Sequence, residues 1–441
     1  MWQTIVNAFK IKEVRRKILI TLALLFVYRL GCYIPVPGVH FFNQGEQSIF
    51  SDYTFLQIMS GVSGGALQYG TFFAMGIGPY INASIIIQLL TVGIPALERL
   101  SKQGEEGRKR INTYTRILTL VLAVAQAIGI LVGFRSYVVT SELFGAEGFG
   151  RVLSYIFLVL VYTAGAALTM WLGERITDYG VSNGISMLIF AGILSTAGTA
   201  ILGIFTNWQP NSFWVLLAFV VSVIVIFGAI VTVESAERKI PVQYAKQVKG
   251  RKMYGGQSTH IPIKVNASGV MPLIFAYAIL SFPDLIMNLF GLKTTAEGNT
   301  FYDWWTTWMG TGGWIYMIVL CVLILFFSYF YNQIQFNPDD ISKSIQSNGG
   351  FIPGTRPGRP TADYLRRVSN RITLFGAIYL ALVALVPSLI FKIIGSALSL
   401  DNALISVFSA TGLLIVVSVA LEFDQALQSQ IMMKNYKGFL K

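Results

Sequence analysis

The chain has 441 residues, of which 54% are hydrophobic and only 12% are Asp, Glu, Lys or Arg, with a formal net charge of +12. That charged share is about half of what a soluble globular domain carries, and the charges cluster between long stretches that hold almost none. A soluble enzyme, a disordered scaffold and a fibrous protein are excluded, and the chain reads as a polytopic membrane protein.

In chain order the charge-poor windows fall at residues 18–37, 72–94, 117–134, 152–173, 181–206, 213–233, 267–290, 314–331, 372–391 and 403–421. Each is close to the ~20 residues a helix needs to cross about 30 Å of hydrocarbon. The charged exceptions are Arg29 in the first window and Asp284 in the seventh, while Glu174, Arg175 and Asp178 separate the fourth from the fifth. Arg29 is expected to snorkel or to face a wet or protein-lined interior, because a guanidinium exposed in mid-lipid is costly. The first apolar segment lacks a small-residue cleavage pattern, so no cleavable signal peptide is expected.

Ten crossings put both termini on one side. Apart from Arg29, Arg135, Arg151, Lys293 and Lys392, every Lys and Arg falls on that side as well. The positive-inside bias assigns it to the cytoplasm. The expected fold is therefore an all-α polytopic membrane protein with ten transmembrane helices, preceded by a cytoplasmic segment at 1–17 and followed by a cytoplasmic tail at 422–441. A cut near residue 210 leaves five spans in 18–206 and five in 213–421. An odd number per half means that similar halves would be inverted, a topological possibility that no sequence repeat yet supports.

Residues 55–67, FLQIMSGVSGGAL, are apolar but too short to span, and Gly61, Gly64 and Gly65 interrupt them. Such a segment re-enters a membrane only where protein or a cavity shelters its backbone. It reads either as a movable element over a pore or as a static external loop. In the following GIGPYINASIIIQLL, Pro79 is expected to loosen a helix interior. Ile77, Ile81 and Ile85 share one helix face, as do Ile185, Ile189 and Ile193. Such a face packs against lipid or a neighbour, or forms an apolar constriction that gates by excluding water; periodicity alone does not choose. Glycines 165, 192, 195 and 198 suit close helix packing.

Two connections, about 234–266 and 332–370, are too long to be simple turns. IPVQYAKQV and HIPIKV in the first predict a protruding hairpin or helix–strand element. In the second, Asn348-Gly349-Gly350 and Pro353-Gly354 predict turns, with Arg356 near an apex. Basic residues there, among them Arg238, Lys239, Arg251, Lys252 and Arg356, serve topology and anionic-lipid contact by default. Combined with apolar anchors such as Tyr254, Ile341 and Phe351, they also fit a docking surface. No HExxH or G-x-x-x-x-G-K-[ST] motif occurs, His40 and His260 are isolated, and Cys32 and Cys321 read as packing residues. No catalytic residue, metal site or cofactor is expected, so any ATP hydrolysis belongs to a separate protein. A small-solute carrier with inverted repeats and a noncatalytic docking platform remain open alternatives.

Several stretches taken together carry a resemblance: IPVPGV at 34–39, SGGAL at 63–67, GIGPYINASIIIQLL at 76–90, WLGERIT at 171–177, SNGISMLIFAGI at 182–193, QSTHIPIKVN at 257–266 and FIPGTRPG at 351–358. Their order, over nearly the full length, resembles the SecY family, central subunits of bacterial protein-conducting channels. The resemblance implies two inverted halves of five spans around an hourglass channel. It implies a re-entrant plug at about 55–68, including Ser60, Gly61, Val62, Ser63, Gly64 and Gly65. The implied pore ring is Ile77, Ile81, Ile185, Ile189, Ile274 and Ile415, and the implied lateral gate involves spans two, three, seven and eight. Arg238, Lys239 and Arg356 become docking positions for a translating ribosome or the SecA ATPase. Lys239 keeps the charge of an arginine found there in some relatives but lacks its planar fork. SecE and SecG are the implied membrane partners, and signal sequences and unfolded secretory or membrane proteins the implied cargo.

Overall fold

The computed structural model describes residues 2–39, 60, 63–133, 138–140, 143–145, 147–206, 212–244, 247–249, 252–254, 258–266, 269–289, 305, 308, 314–398 and 410–438. The helices are α1 (Trp2–Lys10), α2 (Lys12–Gly31), α3 (Gly78–Gly93), α4 (Pro95–Ser101), α5 (Glu105–Gly133), α6 (Gly148–Tyr179), α7 (Gly184–Thr206), α8 (Ser212–Glu234), α9 (Met271–Leu289), α10 (Trp314–Gln335), α11 (Pro338–Ser347), α12 (Arg359–Leu398) and α13 (Ala410–Gly438). Strands β1 (Glu237–Tyr244), β2 (Gln247–Lys249), β3 (Lys252–Tyr254), β4 (Ser258–Lys264) and β5 (Gly350–Phe351) lie in the two long connections.

Every apolar window overlaps one long helix, but the boundaries move for identifiable reasons. Helix α2 stops at Gly31, short of the expected residue 37, because Pro35 and Pro37 disfavour a continuing helix. The chain beyond it runs extended, with Val36 N–H donating to Gly70 O at 3.2 Å and Phe72 N–H to Ile34 O at 2.9 Å. The second window begins as turns, and its helix starts only at Gly78. Pro79 therefore lies in the first turn, where its missing N–H costs nothing, and not in a helix interior as its position in the window suggested. Glu174, Arg175 and Asp178 belong to the last turns of α6, so the break before α7 is Gly180–Asn183. At 32 residues, α6 extends about 48 Å at 1.5 Å per residue and projects beyond a 30 Å core.

Among the described residues, four helical stretches are long and apolar enough to cross a membrane: Glu105–Val132, Gly148–Tyr179, Trp314–Ser347 and Arg359–Val386. Helices α3 and α4 make a fifth only as a pair, and they bend by 105° where Ile94, extended before Pro95, interrupts them.

Packing divides into regional cores. Leu67, Ala127, Leu158, Tyr162 and Ala166 belong to one within the first half of the chain. Leu273, Leu320, Ile324, Leu380 and Leu414 belong to another within the second. Gly165 presses against the Phe72 carbonyl, a close approach that a Cβ would prevent, whereas Gly198 faces open space and has no packing role of this kind.

The long connections fold together. Strand β1 pairs antiparallel with β4, Arg238 opposite Ile263 and Ile240 opposite Ile261, and on its other edge with β5, Gln243 opposite Phe351. Ile240, Val242 and Ile263 from the hairpin bury against Ile345, Ile352 and Leu365 from the second connection. Ile341 packs into this core and is not the exposed anchor expected of it. Phe351 stays exposed, and Tyr254 lies on β3, which pairs with β2. At the root of the sheet Glu234 accepts hydrogen bonds from Asn266 Nδ2 at 2.7 Å and Ser418 Oγ at 3.1 Å, tying α8 and α13 to the chain leading into α9.

Candidate functional site

Ile77 caps α3, and its carbonyl accepts from the Ile81 amide at 3.1 Å, so the two stack one turn apart. Ile185 and Ile189 sit on α7, whose first turn is fixed by Asn183 Oδ1 accepting from the Ile185 amide at 3.1 Å and by Thr177 Oγ1 accepting from the Gly184 amide at 2.9 Å. Ile274 lies in the first turn of α9 and Ile415 on α13. One apolar cluster contains all six side chains. Ile77, Ile189 and Ile415 are buried in it, and Ile81, Ile185 and Ile274 pack against it partly buried. The shared helix faces divide between contacts: Ile193 joins this cluster, Ile85 belongs to a second one, and Ile81 packs against both.

The glycine-interrupted segment reaches the same collar. Ala66 of the segment is buried among the isoleucines, as is Phe73 in the turns that follow it. Ser63 Oγ donates to Ser60 O at 3.1 Å and accepts from the Leu67 amide at 3.3 Å, closing a compact turn. Gly64 and Gly65 follow at φ +70° and +85°, a left-handed pair that favours glycine. Gly61 and Val62 lie outside the described residues, as do residues 55–59. Arg29 faces protein rather than lipid: its guanidinium donates to the carbonyls of Gly64, Ala191 and Gly192.

A second apolar contact joins the halves. Ile85 of α3 packs with Phe275 of α9 and Phe327 of α10, and the Phe275 ring meets Phe327 edge-on at 5.5 Å between centroids. Helix α5 also touches α9. These are the elements expected to form the seam between halves.

On the extramembranous sheet, Arg238 and Lys239 are exposed at the start of β1, and Lys239 pairs with Glu237 at 3.3 Å. Arg356 is exposed in the turn between β5 and α12, where Gly354 and Gly358 have φ of +85° and +96°. Its carbonyl accepts from Thr361 Oγ1 at 2.8 Å, which anchors the turn to α12. Lys252 is on β3, and Arg251 lies outside the described residues. Because β1 pairs with β5, the two basic positions separated in sequence belong to one small platform.

Sequence reasoning did not single out Phe275 and Phe327, or the carbonyl targets of Arg29. Aromatic residues on α9 and α10 look like ordinary span residues, and carbonyl acceptors leave no mark in a sequence. The intramembrane charge of Arg29 was the signal that existed, and it named a donor without its partners.

Solved structures with this fold include one described as the structure of a protein conducting channel, with a TM-score of 0.65, 20% identity, and coverage of 94% of this chain and 92% of that one. Another is Sec61 in a canine ribosome–channel complex from the endoplasmic reticulum, at 0.61, 18%, 94% and 92%. The architecture is thus that of an all-α polytopic membrane protein. The SecY family model matches residues 71–423. Protein translocase subunit SecY of Streptomyces galbus is 41% identical, covering 99% of both chains, and that of Mycobacterium bovis is 40% identical over 100% of both. The chain belongs to the SecY family, whose members are channel subunits and not enzymes.

Proposed function

We infer that this chain forms the conducting path of a protein translocase: unfolded polypeptides pass through the isoleucine collar, and apolar segments leave sideways through the seam between α3 and α9–α10. The observation that carries this reading is the meeting of six isoleucines from α3, α7, α9 and α13 in one cluster against which the glycine-rich segment packs. A pore for arbitrary sequences cannot rely on fixed polar ligands. An apolar collar offers none, excludes water when closed, and yields by side-chain rotation to residues of many sizes. The segment around Ser60–Gly65 acts as the plug and leaves the axis when the collar parts. The two halves, 18–206 and 213–421, move about the collar as inverted units. Long apolar segments then partition into lipid because hydrocarbon solvates them better than a wet pore does.

The drive comes from outside. The platform of β1, β4, β5 and the Arg356 turn presents Arg238, Lys239 and Arg356 to a ribosome or to the SecA ATPase, and Arg251 and Lys252 add to the same docking charge. SecE and SecG complete the membrane assembly, with anionic lipids at its basic rim. The platform and both termini face the cytoplasm of a bacterial cell, since the basic residues collect on that side.

A secretory chain stalled in transit should crosslink to photoreactive residues placed at Ile81, Ile189 and Ile274. Crosslinks confined to lipid-facing positions such as Phe326 would place the route outside the collar and end this reading. At the platform, Arg356→Glu should weaken binding of the cytoplasmic partner by about 10–100-fold, because a charged hydrogen bond contributes roughly 1.5–3 kcal/mol and the reversed charge adds repulsion. The amount of channel in the membrane should not change. Unaltered partner affinity, measured on the purified complex, would remove Arg356 from the docking surface.

A further inference from the structure

The observations reach furthest at Arg29. Its Nη1 donates to Gly64 O at 3.4 Å, and its Nη2 donates to Gly192 O at 3.1 Å and to Ala191 O. One charged side chain on α2 thus joins two elements far apart in sequence: the glycine-rich segment and α7, the helix that carries Ile185 and Ile189. Neighbouring groups of α2 reach the same place. Tyr28 Oη donates to Ser63 O at 3.5 Å, and Cys32 Sγ lies 3.7 Å from that oxygen. Gly64 is held at φ +70°, and a Cβ there would collide with the guanidinium. A cation taken from water needs its donors satisfied, and here main-chain carbonyls satisfy them. Removing the segment from the collar breaks the Gly64 bond and leaves the charge short of a partner.

We propose that Arg29 is a positioning residue that latches the plug segment to α7 in the seated state, setting how strong a signal segment must be to open the channel. The proposal rests on the channel reading above. It assigns the latch to a residue outside the collar, the segment itself and the docking platform.

The test uses the full chain with its membrane partners in sealed vesicles, comparing the unaltered protein with Arg29→Met, Arg29→Lys and Gly64→Ala. Arg29→Met should raise resting ion permeability at least fivefold and raise export of a substrate with a shortened apolar signal by a similar factor. Export of a substrate with a full-length signal should stay within twofold, which a collapsed channel would not permit. Arg29→Lys, with the charge but fewer donors, should fall between. Gly64→Ala should raise the resting leak and weak-signal export as the Met variant does, and on those two readings the double variant should exceed neither single change. Independently, the thiol introduced by Ser63→Cys should pair with native Cys32 at least twofold more slowly once Arg29 is lost. Unaltered leak, weak-signal export and thiol pairing would overturn the latch. Should Arg29→Met fail to accumulate, Arg29→Lys and Gly64→Ala decide by the same readings. If the unaltered protein passes no polypeptide, the channel reading fails instead, and thiol pairing still decides the latch.

Discussion

Serine in place of Ile81, Ile189 and Ile274 together should raise the resting ion leak of the reconstituted channel by about two orders of magnitude. The three side chains come from three helices and pack into one cluster with Ile77, Ile185 and Ile415. Fully burying an isoleucine side chain contributes roughly 1.5–3 kcal/mol; Ile189 is buried while Ile81 and Ile274 are partly buried, so about 1 kcal/mol each is a moderate allowance. Serine also supplies a hydroxyl that holds water in the constriction. Together the changes lower the cost of wetting the collar by ~3 kcal/mol, and each 1.4 kcal/mol corresponds to about a factor of ten. Single-channel recording in planar bilayers measures this directly. Leucine at the same positions keeps the apolar volume and should leave the leak within a fewfold of the original. A leak equally unchanged by serine would show that the collar is not the barrier.

The second large effect concerns the seam. With Cys32 and Cys321 replaced by alanine, cysteines substituted for Ile85 and Phe275 and joined by a short bifunctional thiol reagent should abolish lateral release of apolar segments. The two side chains occupy the same packed cluster, one on α3 and one on α9. A segment of ~20 apolar residues gains about 0.3–0.6 kcal/mol per residue on entering lipid, on the order of 10 kcal/mol in total. That pull far exceeds thermal energy, so the limiting step is parting the seam, and a covalent bridge removes that step. Insertion of a membrane substrate should fall at least tenfold and return when a cleavable bridge is cut. Continued insertion with the bridge intact would mean that apolar segments leave elsewhere.

The parts of this molecule that were legible in sequence are those written in local chemistry. Charge-free windows marked the helices, and Pro353-Gly354 marked the turn that carries Arg356, whereas the early end of α2 before Pro35 and Pro37 lay inside a window that hydropathy alone carried to residue 37. Windows of hydropathy are blind to polar helical turns, which is why α5 begins at Glu105 and not near residue 117. They also misread Pro79, whose role depended on where the helix began rather than on the proline itself. Isoleucine spacing gave two helix faces but could not say that Ile77 packs in the collar, Ile85 in the seam, and Ile81 against both. The pairing of β1 with a two-residue β5 was invisible for a related reason: so short a strand has no period, and its partner lies a hundred residues earlier. The resemblance of motifs supplied the six collar positions; the physical contact among them came only from the fold.

The shared sheet has a mechanical consequence. Strand β1 follows directly on α8, β4 leads through the Asn266 staple into α9, and β5 adds the Arg356 turn to the same rigid plate. The load of a large body pushing on that turn would pass through the hydrogen bonds from β5 to β1 and from β1 to β4, and then along the chain from β4 into the helix bearing Ile274 and Phe275, one in the isoleucine cluster and one in the contact with α3 and α10. A motor attached there would tilt both with a single stroke, without gripping any residue inside the bilayer.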